Sequence, residues 1–151
     1  MLAAPQIPIR TYQADDFLRL HEIDQSCYVA GIAYSRRTLK WFLAQPNAEC
    51  LVAELEGRII GFILTESQRG MAHIITIDVL AEHRRTGAGT ALLEAAERSL
   101  AARGVREIHL ETAHDNAPAI AFWEKHGYRK RGILRNYYLD RIDAYAMRKQ
   151  L

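Results

Sequence analysis

Between Ile74 and Leu93 the spacing of hydrophobic positions changes character once. Ile74, Ile75, Thr76, Ile77 and Val79 make an apolar, β-branched run, the composition of a buried strand. Glu82, His83, Arg84 and Arg85 lead from it into Thr86-Gly87-Ala88-Gly89-Thr90. After that loop Ala91, Leu92, Leu93, Ala95 and Ala96 begin a helix of strong helix formers. The order is strand, glycine loop, helix.

The flanking pattern supplies the other elements. Residues 7–12 read as a short first strand, with Pro5 and Pro8 tolerable at an edge or a strand start. Ala14-Asp15-Asp16 start a helix in which Phe17, Leu18, Leu20, Ile23 and Cys27 recur at roughly helical spacing; Asp15 or Asp16 serves its first turn and Gly31 breaks it. Ser35 is an N-cap for a second helix that reaches Ala44 and ends at Gln45-Pro46-Asn47. Trp41 and Phe42 in this helix read as core, with a lesser alternative in which they line a substrate mouth. Residues 49–55 and 58–66 are strands joined by the hairpin signal Glu56-Gly57, and Gln68-Arg69-Gly70 turn the chain into a strand over 71–80.

The helix after the glycine loop runs to Arg103, with Gly104 just beyond it, and residues 105–112 form the next strand. Strand, helix, strand implies a right-handed parallel crossover. Asp115 or Asn116 caps a helix over 117–126, with Pro118 in its first turn and Gly127 after its end. Residues 128–139 and 142–148 close as two antiparallel strands. The expected fold class is α/β (or α+β): one domain over residues 1–151, built on a mixed central sheet of about seven strands with helices on both faces.

Composition changes this picture little. A chain of 151 residues, 49% hydrophobic and 25% charged, fits an ordinary globular domain. A net charge of +2, with no basic run or aromatic-basic stripe, argues against a nucleic-acid partner and suits an acidic cofactor mildly. Cys27 and Cys50 are too few and too far apart for a disulfide framework or a metal site, and read as free thiols of a reducing cytoplasm. His109, His114 and His126 show no ligand spacing along the chain, so no metal is expected. No leader and no long apolar span suggests secretion or a membrane partner.

The glycine loop carries the chemistry. A strand-to-helix loop of this kind aims unpaired backbone N–H groups at one point, with the positive end of the helix dipole behind them. That is a place for a phosphate, which Gly87 and Gly89 would let approach closely. The loop is neither a G-x-G-x-x-G dinucleotide fingerprint nor a nucleotide P-loop, since no Gly-Lys-Ser/Thr follows. An ordinary strand-to-helix turn is the bland alternative.

Arg84-x-x-Gly87-x-Gly89 directly after a strand resembles the pyrophosphate loop of the GNAT superfamily of N-acetyltransferases. Asn116, Ala119, Phe122, Gly127 and Tyr128 match a second pattern of that superfamily, N-x-x-A-x-x-[FL]-Y-x-x-x-G-[FY], in the right order and with a strand between. The resemblance covers nearly the whole chain. It implies acetyl-CoA as cofactor, bound where the parallel strands around Ile77 and Leu110 splay apart. By that resemblance, backbone groups of Ile77, Asp78 and Val79 pair with the pantetheine arm, and the loop Arg84, Arg85, Thr86, Gly87, Ala88, Gly89 and Thr90 holds the pyrophosphate. Asn116 hydrogen-bonds the cofactor arm or is a plain helix cap, and Ala119, Phe122 and Trp123 belong to the cofactor-binding pattern.

The RimI-like branch, ribosomal-protein N-terminal acetyltransferases, is the nearer likeness. There a glutamate like Glu111 acts as base, with a carboxyl raised by partial burial; an ordinary ion pair with an arginine is the alternative. His73 stands where a related branch has a water-positioning tyrosine, or is simply structural. The superfamily's acid tyrosine is replaced by Trp123, whose indole is no acid near neutral pH, so Tyr128, Tyr137 and Tyr138 are the candidate phenols, with Tyr138 taken as catalytic. Arg135-Asn136-Tyr137-Tyr138 and Asp143-Ala144-Tyr145-Ala146-Met147 resemble the closing hairpin of RimI-like enzymes, which points to a protein or peptide N-terminus. A polyamine, an amino acid or an aminoglycoside is the alternative acceptor, and a non-catalytic acyl-CoA module or a general nucleotide binder the alternative function. The expected assembly is a monomer or a homodimer.

Overall fold

The computed structural model describes residues 6–151 and runs through β1 (Ile9–Thr11), α1 (Phe17–Cys27), α2 (Arg36–Leu43), β2 (Ala48–Leu55), β3 (Arg58–Gln68), β4 (Met71–Val79), α3 (Ala88–Ala102), β5 (Glu107–Ala113), α4 (Ala117–Lys125), β6 (Arg129–Tyr138) and β7 (Ile142–Gln150). The strands form one seven-stranded mixed sheet in the order β1-β2-β3-β4-β5-β7-β6, the α/β architecture the sequence implies. Pro5 lies outside the described residues. The helix expected from residue 14 opens as a short 3-10 turn, Ala14–Asp16, and becomes α-helical at Phe17. Among the described residues no helix is long and apolar enough to cross a membrane.

Each face of the sheet buries its own cluster. On one, α3 lays Leu92, Leu93, Ala96 and Leu100, a helical stripe, against Ile63, Ile74, Ile108 and Leu110. On the other, Leu20 and Ile23 of α1 and Leu39 of α2 pack on Val52, Phe62 and Leu64. Leu39 sets the phase of α2, so Phe42 and Leu43, three and four residues on, follow it inward. Trp41 falls on the outer side and is 59% exposed, which corrects its reading as core.

Two irregularities position the site. The first is a β-bulge in β4: Leu64 pairs with Thr76 but Thr65 with Ile74, leaving Ile75 extra. A single extra residue reverses the alternation of side chains. Ala72 and Ile74 therefore face the α3 cluster before the bulge, and Ile77 and Val79 after it. Thr76 and Asp78 turn the other way, toward α1. The second is a fork. β4 and β5, the parallel pair, hold register only at Met71–Glu107, Ala72–Ile108 and His73–His109. Beyond His73, β4 stays with β3 as far as Val79 while β5 follows β7 to Ala113, and the sheet opens between them.

Asp78 and Asp24, 1% and 0% exposed, face one another across the α1–β4 contact. Thr76 donates to Asp78 Oδ1 at 2.6 Å, and the Tyr34 amide donates to Asp24 Oδ2 at 2.7 Å. The oxygens left without a donor are Asp24 Oδ1 and Asp78 Oδ2, and one proton between them satisfies both. Burial, then the neighbouring carboxyl, pushes Asp78 well above its ordinary value. A carboxyl whose folded value is raised contributes stability in full below its unfolded value of 3.8 and loses it as pH rises toward the folded one. Asp78→Asn keeps an acceptor for Thr76 and offers an N–H to Asp24. The variant is expected to gain on wild type above about pH 4, at up to about 1.4 kcal/mol per pH unit. Urea melts at pH 4, 6 and 8 check it, and a gap that does not widen with pH would show that no proton is shared.

Candidate active site

Of the residues singled out from the sequence, His73 and Glu111 stand at the fork, and the glycine loop follows the strand that forms one lip of it. Past His73 the β5-facing edge of β4 has no strand partner, an arrangement that receives an extended ligand as an added strand. The glycine loop follows directly. Arg85 and Gly87 have φ of +67° and +89°, a left-handed turn that glycine makes without strain at position 87. α3 has no side-chain cap, and its first internal bond runs from Ala91 N–H to Gly87 O, so the amides of Ala88, Gly89 and Thr90 have no partner within the helix. Residues 84–87 are exposed. Gly89 has a second reason for being glycine: a Cβ there would touch the Phe122 ring at 3.4 Å.

Several expected cofactor residues sit differently in detail. Arg84 folds back, its Nε donating to Val79 O at 3.3 Å and its guanidinium lying over Cys27 Sγ. Thr86 donates to His83 O, and Thr90 pairs with His126 Nε2 at 3.1 Å, tying the loop to the end of α4. Asn116 caps α4 by accepting from the Ala119 amide at 3.2 Å. The Asp78 side chain points into the α1 contact and its main chain pairs with Phe62 of β3, so neither faces the fork. Trp123 is 6% exposed and meets Tyr128 edge-on at 5.2 Å, so its indole fills the core beneath α3.

Glu111 stands on the other lip. Its Oε1 accepts from His73 Nε2 at 2.8 Å and from the Tyr137 hydroxyl at 3.3 Å, and the Tyr138 hydroxyl donates to its main-chain oxygen at 3.4 Å. An ionised carboxylate only accepts, so His73 carries its proton on Nε2. Burial pushes the carboxyl up, but the His73 bond and charge, His109 and the Tyr137 hydroxyl outweigh it, and Glu111 lies below its ordinary value. The expected upward shift is thus reversed, and the partner is a histidine where an arginine was the alternative.

The phenols reach Glu111 through a wide bulge. Between Leu134–Ala144 and Tyr138–Ile142, Arg135, Asn136 and Tyr137 stand opposite Asp143 alone. Asp143 holds the bulge by accepting from the Asn136 amide at 2.9 Å and from Arg135 at 3.3 Å. Burial and then nearby negative charge raise both Tyr137 and Tyr138. Tyr128 is elsewhere: its hydroxyl donates to Glu97 at 2.8 Å under α3, which removes it from the candidate acids.

Two side chains beside the site were not among the expected residues. Tyr34 comes near the same site from the α1–α2 segment; burial, then the charges of Asp24, Tyr137, Asp78 and Glu111, push its phenol up to about 12. His109 stacks on His73, ring centroids 4.6 Å apart and planes at 7°. Its position two residues before Glu111 on one strand face is legible in the sequence, but its register against His73 is not. One ring nitrogen of each histidine and one Glu111 oxygen all lie within 4.8 Å of one another, a set able to hold a metal.

Comparison with known proteins agrees with this geometry. The family model described as Acetyltransferase (GNAT) family matches residues 17–128. An N-alpha-acetyltransferase of Sulfurisphaera tokodaii is 32% identical over 146 residues, covering 85% of this chain and 87% of that protein. The ribosomal-protein-S18-alanine N-acetyltransferase of Escherichia coli superposes with a TM-score of 0.88 at 28% identity, over 96% of this chain and 94% of its own. Ard1 of Thermoplasma volcanium gives 0.87 at 28% identity, over 95% and 97%.

Proposed function

The chain belongs to the GNAT family of acetyltransferases and is an acetyl-CoA-dependent N-acetyltransferase, and from that premise we propose that its acceptor is the α-amine of a protein or peptide N-terminus, attacked directly. The observation that carries this is the Glu111 carboxylate, fixed by His73 and Tyr137 at the fork and held below its ordinary value. Such a base is ionised throughout the neutral range but weak. An α-amine, with a value near 8, already offers a sizeable neutral fraction there. A lysine side chain, near 10.4, asks for about 3 kcal/mol more to lose its proton at the same pH.

Bound acetyl-CoA supplies the activated thioester. The unpaired amides of Ala88, Gly89 and Thr90 fit its pyrophosphate, and the open edge of β4 at Ile77 and Val79 fits its pantetheine arm. Asn116 and Ala119 start α4 beside that arm, with Phe122 against Gly89. The Val79 amide is the oxyanion donor. Glu111 takes the acceptor's proton directly or through a water that His73 orders. Tyr138 and Tyr137 hold their protons too firmly to release them readily to a thiolate, whose acid lies near 8.5. We therefore assign the phenols to shaping the acceptor site; a departing thiolate would be left to draw its proton from solvent. The free thiols of Cys27 and Cys50 suit a cytoplasmic setting, and the chain acts as a monomer or homodimer on an amine, without nucleic acid or membrane.

The test uses peptides with a free N-terminus and no lysine, the same peptides N-terminally blocked with one lysine added, and a panel of polyamines, amino acids and aminoglycosides. Mass spectrometry is expected to show acetyl groups on the free α-amines. Modification confined to lysine or to small amines would overturn the assignment.

A further inference from the structure

His73 and His109 form the last rung of the β4–β5 pairing, and Glu111 is the first same-face residue beyond it. Three donors of metal-ligand type thus converge at the apex of the fork. One ring nitrogen from each histidine and one carboxylate oxygen lie within 4.8 Å of each other. His109 Nδ1 is buried and has no hydrogen-bond partner among the described residues, so no protein group compensates that ring nitrogen. The cluster is also reachable: the His73 side chain is 34% exposed and that of Glu111 17%.

We propose that His73, His109 and Glu111 bind a divalent cation of the zinc class, and that this cation shuts off the enzyme reversibly. Two imidazoles and one carboxylate favour zinc, cobalt or nickel over magnesium or calcium, which prefer oxygen ligands. Metal–nitrogen bonds of about 2.0–2.1 Å require the two stacked rings to tilt toward a common point, a change within reach of side-chain rotation. Three protein ligands leave the fourth position to water. The cation displaces the His73 hydrogen from the Glu111 oxygen and occupies the lone pair that would take the acceptor's proton. Inhibition rests on the reading of Glu111 as the base; binding does not.

Cobalt(II), titrated into the 151-residue chain, reports binding without turnover. Wild type is expected to develop the visible d–d absorption of a four-coordinate site at one equivalent, without a thiolate charge-transfer band from Cys27 or Cys50. His109→Phe keeps a ring over His73 and removes a ligand, and is expected to lose that absorption while retaining acetylation. His109→Leu repeats the comparison should His109→Phe melt at a lower temperature than wild type. Acetylation, followed by product mass because zinc captures free CoA thiol, is expected to fall about tenfold or more in wild type at saturating zinc and to hold in His109→Phe. No absorption in wild type, or the same absorption in both variants, overturns the site. Absorption lost with His109 while zinc leaves wild-type turnover intact upholds the site and overturns Glu111 as the base.

Discussion

Glu111→Gln will lower kcat on the order of 10²-fold or more while acetyl-CoA still binds by calorimetry with nearly its wild-type affinity. Glutamine keeps the shape and still accepts from His73 Nε2 and Tyr137, so the fork stays assembled. What it removes is the negative charge that receives a proton. The pH profile makes the result specific. Glu111 lies below its ordinary value, so in wild type the base is ionised above that value and protonated only as pH falls through it. Its titration then leaves the range around neutrality flat, and any rise of kcat/KM between about pH 6 and 8 reports the acceptor amine. That limb should move when the peptide's first residue changes the amine, and should survive in whatever activity Glu111→Gln retains. Full kcat in the variant would move the base elsewhere in the fork.

Gly61→Ala will cost about 1–3 kcal/mol and lower Tm by roughly 3–10 °C, with weaker acetyl-CoA binding. Gly61 pairs with Val79 across β3 and β4, and a methyl group there would stand 2.6 Å from Asp78 O and 3.1 Å from Val79 Cγ2. The obstructing atom is backbone, so β4 itself must shift, next to the main chain of Ile77 and Val79 that we propose for the cofactor arm. Gly132→Ala is the control, because a Cβ there meets nothing within 4 Å. Calorimetric melts of both variants, followed by acetyl-CoA titration, decide it. Equal melting of the two would mean that β4 yields at no cost.

What could be read from the residues depended on how local its cause was. The strand, glycine loop and helix around Gly87 rest on contiguous composition, and the structure keeps them with α3 at Ala88–Ala102. The Ser35 cap and the Asn116 cap are equally local, each set by one side chain and an amide three residues on. Trp41 was misplaced because α2 is short and its inward side is chosen by one residue, Leu39, packing on the sheet. The direction of the Glu111 shift was misread for a related reason. Partial burial is visible in the strand pattern, whereas the opposing hydrogen bonds come from β4 and from the β6 bulge, both distant in sequence. His109 meets His73 only through β-register, and the extra Ile75 appears only once β3 is laid beside β4.

That extra residue makes the strand sensitive to parity more than to identity. A conservative exchange at Ile77 or Val79 leaves each side chain on its own face. Loss or gain of one residue between Ile74 and Asp78 would instead swap the faces, turning the Asp78 carboxyl toward the α3 side and driving isoleucine against Asp24. Within this short segment, a change of length is far more damaging than a substitution.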